Sequence, residues 1–77
     1  MKFGSMKQID EFRKVIDSCT GAVWLQSRFG DRYNLKSELT QFTALADLVR
    51  DKNGDLELFA QKSEDEIRLM NFIATLD

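Results

Sequence analysis

The chain reads as an α+β domain: an antiparallel sheet with helices packed on one face, an open-faced β-sandwich. Three segments place apolar residues at the three- and four-residue spacing of a helix, and three shorter ones alternate with the period of a strand. The two adjacent strand-like segments are joined by a short glycine turn. This makes a hairpin rather than the long crossover a parallel sheet requires. At 77 residues the chain is sized for one domain, spanning 1–77, with three or four strands and three helices.

Residues Met1 to Phe3 are too few to define a strand by themselves. Ser5 with Gln8 forms a capping box, which satisfies two orphaned backbone donors and opens a helix over Met6 to Ser18. Its apolar stripe is Met6, Ile9, Phe12, Ile16 and Cys19, and Thr20-Gly21 closes it. Ala22 to Ser27 alternates, with Val23 and Leu25 on one face and Trp24 and Gln26 on the other. Arg28 to Asp31 is the turn, and Arg32 to Leu35 is the second strand, with Tyr33 and Leu35 inward.

Ser37 then caps a second helix with Glu38 in its first turn. The stripe there is Leu39, Phe42, Leu45, Ala46 and Val49. Asp51 to Gly54 stops it, Asn53-Gly54 being a strong turn pair. Asp55 to Ala60 alternates with Leu56 and Leu58 inward. Ser63 with Glu66 reads as a second capping box, reinforced by Glu64 and Asp65. The last helix carries Ile67, Met70, Ile73 and Ala74, flanked by Leu69 and Leu76.

Composition excludes several classes. A net charge of −2 with scattered basic residues does not suit nucleic acid. No apolar run approaches a membrane span, and the N-terminus lacks the apolar core of a signal peptide. The single cysteine, Cys19, makes no internal disulfide, so a cytoplasmic location is expected. With no histidine, one cysteine and no carboxylate cage, neither a metal nor another cofactor is expected.

The segments Val23-Trp24-Leu25, Gly30, Tyr33-Asn34-Leu35 and Lys36-Ser37, followed by Asp65-Glu66 at the last helix, resemble the histidine-containing phosphocarrier (HPr) family. The resemblance covers nearly the whole chain. It implies a sheet of order 1-4-2-3 in that family's strands, the first covering the edge of the fourth. The family's phosphorylated histidine falls at Met6, with Gln8 and Ile9 where its arginine and proline would stand. A thioether cannot replace an imidazole nitrogen as the nucleophile, so phosphocarrier chemistry is not expected. The family's first strand is also nearly missing here.

The resemblance places Ser37 at the serine that a dedicated kinase phosphorylates in Gram-positive relatives, with Lys36 beside it. A phosphate there would sit at a helix N-terminus, although Ser37 as a plain N-cap accounts for the residue more simply. Met6 is read as the start of the core stripe, the alternative being a contact residue on an interaction face. Trp24, Phe29 and Phe59 are candidates for an exposed partner surface, against packing on one another and on Arg32 and Lys62. Cys19 is read as a small core hydrophobe. The acidic run Glu64-Asp65-Glu66 is accounted for by the helix dipole.

The function expected is a non-catalytic regulatory or protein-interaction domain of the bacterial sugar phosphotransferase type, switched at Ser37. Its partners would be a serine kinase of the HPr type or a regulator. The alternative is a self-assembling structural or accessory domain. It would form a homodimer through the 55–60 strand, whose edge the shortened N-terminus leaves open unless Met1-Lys2-Phe3 pairs with it.

Overall fold

A computed structural model describes residues 3–51 and 54–76. The elements run α1 (Met6–Ser18), β1 (Val23–Gln26), β2 (Arg32–Asn34), α2 (Glu38–Arg50), β3 (Glu57–Ala60) and α3 (Ser63–Ile73). The three strands form an open antiparallel sheet of order β2-β1-β3. The α+β class read from the sequence is the one observed.

The hydroxyl of Ser5 accepts the Gln8 N–H at 3.3 Å and starts α1. Gln8 Oε1 reaches back to the Gly4 N–H at 2.6 Å, so the reciprocal bond of the box falls one residue earlier than expected. Ile9, Phe12, Ile16 and Cys19 are buried. Met6 is not: it is 70% exposed, which corrects its assignment to the core stripe. Phe3 takes the place in its stead. Its ring lies 5.2 Å from Phe12 and 6.5 Å from Phe72, closing the end of the core below Met6.

The hairpin turn is held by Ser27, whose hydroxyl accepts the N–H groups of Phe29 and Asp31, with Gly30 at φ +90°. Val23 and Leu25 are fully buried, and Tyr33, Leu58 and Ala60 pack on the same cluster. Leu35, placed inward by the alternation, is fully buried just beyond β2. β3 begins at Glu57 rather than Asp55. The Asp51 carboxylate accepts the N–H groups of Asp55 and Leu56 at 2.9 and 3.0 Å and keeps both in the turn.

The buried face of α2 is Gln41, Ala44, Leu45 and Leu48, which shares only Leu45 with the expected stripe. Leu39 and Phe42 are 88% and 81% exposed, and Val49 is exposed as well. The cause is Gln41, whose Nε2 donates to the Leu35 carbonyl at 2.9 Å. A buried carbonyl without a donor is costly, and turning Gln41 inward satisfies it, which turns Leu39 and Phe42 outward.

α3 departs in a similar way. Its N-cap is Lys62, which makes no side-chain cap bond, so the expected Ser63–Glu66 box does not form. The inward row is Asp65, Leu69 and Phe72, four and three residues apart, while Ile67 and Met70 face outward. Asp65 is buried because its carboxylate accepts two amides beyond the end of α1, those of Thr20 and Gly21, at 3.1 and 2.8 Å. The carbonyls at the same end are capped by Lys36 Nζ and by Arg68, the latter to Ser18 at 3.0 Å. The corner between α1 and β1 is thus closed by side chains from two other elements.

Among the described residues β3 pairs with β1 only, and Phe3 is not in a strand. Among the described residues the outer edge of β3 carries no paired strand. The rest of the expected N-terminal pairing, Met1 and Lys2, lies outside the described residues, as does Asn53 of the expected turn.

Candidate functional site

A groove of about 630 Å³ lies on the surface between α1 and α2. Its apolar lining is Met6 and Ile9 from α1 and Phe42, Leu45, Ala46 and Val49 from α2. Ile9 and Leu45 are buried and form the floor. Met6, Phe42 and Val49 are exposed and form the walls. Asp17, Lys36 and Glu38 lie at one end and Arg50 at the other; Asp10 and Arg13, 3.9 Å apart, stand on the α1 rim. Exposed large apolar side chains gathered in one place mark a contact surface more often than a monomer's solvent face.

Ser37 occupies the N-cap of α2 in an extended conformation, but its hydroxyl makes no bond to a helix amide. The N–H of Gln41 bonds the Ser37 carbonyl at 2.7 Å, so the backbone starts the helix unaided. The Lys36 ammonium does not lie free beside it. Nζ donates to the carbonyls of Cys19, Ile16 and Asp17 at 2.8, 3.1 and 3.4 Å, capping the C-terminus of α1. Met6 and Lys36 line the same groove, with Ser37 next to Lys36.

Trp24 and Phe59 share the sheet face that the helices leave open. Their rings stack with centroids 5.7 Å apart, and the Arg32 guanidinium lies 5.9 Å from the Trp24 ring. The two rings face away from the helices and pack on each other, Trp24 half-buried and Phe59 at the edge of exposure. Lys62 is not among their cover; its Nζ donates to the Thr20 hydroxyl at 3.2 Å. Trp24 Nε1 is buried and has no partner among the described residues. Phe29 is apart from them, 84% exposed in the hairpin turn, with Arg28 over its ring at 5.5 Å.

The Gly21 amide holds the Asp65 carboxyl below the usual carboxylate range, burial opposes this, and the Thr20 amide, Arg68 and Lys62 add to the lowering. Burial pushes the Cys19 thiol up, with the Asp65 charge adding to it. Its Sγ donates to the Val15 carbonyl at 3.3 Å, a packed and protonated group rather than a poised thiolate. Among the described residues no three His, Cys, Asp or Glu side chains are grouped to hold a metal ion.

Sequence reasoning missed the outward row of α2 and the roles of Asp65 and Lys36. A signal existed for Asp65, which shares the spacing of Leu69 and Phe72. Nothing in the local sequence marks Lys36, because its partners lie 17 to 20 residues away.

No family model matches the chain, and no curated protein or solved structure matches it. Among the described residues no helix is long and apolar enough to cross a membrane.

Proposed function

We propose that this chain is a non-catalytic, HPr-like protein-interaction domain that docks through the α1–α2 surface, works in the cytoplasm and is switched by phosphorylation at Ser37. The observation that carries the reading is the exposed apolar groove, whose lining includes Met6, at the position of the family's histidine, together with Phe42 and Val49. The sheet order β2-β1-β3 supports it, being what remains of 1-4-2-3 when the first strand is removed. The unbonded Ser37 hydroxyl at a helix N-terminus supports the switch. A second reading, a self-assembling structural domain, is favoured by the unpaired outer edge of β3 among the described residues.

Intact-mass spectrometry after two incubations tests the first reading. One tube holds enzyme I of the sugar phosphotransferase system with phosphoenolpyruvate, the other an HPr-type serine kinase with ATP. One phosphate in the kinase tube, absent in Ser37→Ala, is the expected result. A phosphate in the enzyme I tube overturns the non-carrier reading, and a blank kinase tube overturns the switch.

A further inference from the structure

The outward row of α2 is Leu39, Phe42, Ala46 and Val49, at positions i, i+3, i+7 and i+10. This is the spacing of a coiled-coil seam rather than of a globular core face, and the core face of the same helix is already occupied by Gln41, Ala44, Leu45 and Leu48. The helix therefore carries two apolar faces, one spent inside the domain and one facing solvent.

The outward face is self-complementary in one register. Laid against a second α2 running the opposite way, Leu39 falls level with Val49 of the other copy, and Phe42 with Ala46. The largest side chain of the seam then meets the smallest, so the bulk of each Phe42 enters the space above an alanine. The same register brings the end bearing Glu38 to the end bearing Arg50. Neither charge has an ion-pair partner among the described residues, where the pairs are Arg13–Asp10 and Arg28–Asp55. The two helix dipoles also run antiparallel, the favourable sense. A parallel arrangement would oppose Phe42 to Phe42, Glu38 to Glu38 and Arg50 to Arg50.

We infer that the occupant of the α1–α2 surface is a second copy of this chain, packed α2 against α2 about a two-fold axis. The inference rests on the reading of that surface as a docking face and names what docks there. Met6, exposed in the lining of the same groove, would widen the contact. A two-fold contact uses the same patch twice and closes, so it yields a dimer and not a fibre.

Sedimentation equilibrium from roughly 1 μM to 1 mM tests this. The chain is expected to pass from monomer to dimer within the range. Phe42→Glu should weaken association at least about thirtyfold, the size of an interface hot spot, with an unchanged far-UV circular dichroism spectrum. Glu38→Arg and Arg50→Glu should each weaken it, and the double variant should recover most of the loss, because only an antiparallel pairing exchanges both ends. A monomer throughout overturns the inference, as does a dimer indifferent to Phe42→Glu, which points to the β3 edge, or a double variant no better than either single one. The docking surface itself is judged separately, by whether Phe42 and Met6 are solvent-exposed in dilute monomer, and the switch by the mass shift at Ser37, so each can fail without the others.

Discussion

The carboxylate of Asp65 accepts the backbone N–H of Gly21 at 2.8 Å, joining the first turn of α3 to the chain just past α1, 44 residues earlier. A second bond, from Thr20 at 3.1 Å, makes the contact two-pronged. Asp65→Ala leaves two amides without their acceptor, and Asp65→Asn offers them a weaker, neutral one. Both variants should melt below the parent, alanine lower than asparagine, in thermal unfolding followed by circular dichroism.

The same contact makes stability depend on acid. Asp65 binds its proton at lower pH in the folded chain than in the unfolded one, because the Gly21 and Thr20 amides favour the charged form. Its contribution is therefore complete above the unfolded value, about 3.9, and is lost as the pH falls through the folded value. Urea unfolding at a series of pH values should show a fall in stability on acidification that is shallower in Asp65→Asn.

Lys36 closes the other side of the same corner, with its ammonium on the carbonyls of Cys19, Ile16 and Asp17. Lys36→Met keeps the stem and removes the charge at a helix C-terminus, and should cost about 1 kcal/mol. Urea midpoints measure this, and an unchanged midpoint would show the cap to be idle.

Trp24 carries a buried Nε1 with no acceptor among the described residues. Trp24→Phe removes that donor while keeping a ring over Phe59, so the expected change lies within about 1 kcal/mol of zero. Phe59→Ala should instead expose the indole and shift its fluorescence emission to the red.

The two faces of α2 should respond in opposite ways. Leu48→Ala opens a cavity in the core and should cost about 2–5 kcal/mol. Phe42→Gln, at a position 81% exposed, should change the stability of dilute, monomeric protein by no more than about 0.5 kcal/mol.

Much of this fold was legible in the sequence. α1 starts and ends where the Ser5 cap and the apolar spacing put it, and the hairpin turns where Ser27 and Gly30 allow. Trp24 and Phe59 emerge on one open face because strand alternation has only two possible phases. The inward faces of α2 and α3 were not legible. α2 has apolar residues almost all round, so several stripes fit the 3.6-residue period, and the choice among them is made by Gln41 and the Leu35 carbonyl it satisfies. On α3 the inward row begins with a carboxylate, which a search for apolar spacing passes over. In both helices a buried polar group decided the rotation, through a partner remote from the helix itself. The candidate surface is hidden for the same reason: the spacing of Met6, Phe42 and Val49 fits a core stripe equally well.

Hydroxyl-radical footprinting of dilute, monomeric protein, read residue by residue, reports which face of α2 meets solvent. Fast oxidation of Met6, Leu39 and Phe42 is expected, with Phe12 and Leu48 protected. Protection of Phe42 and Leu39 in the monomer, with Leu48 oxidised, would mean that α2 presents its other face to the core and that the α1–α2 surface does not exist as described.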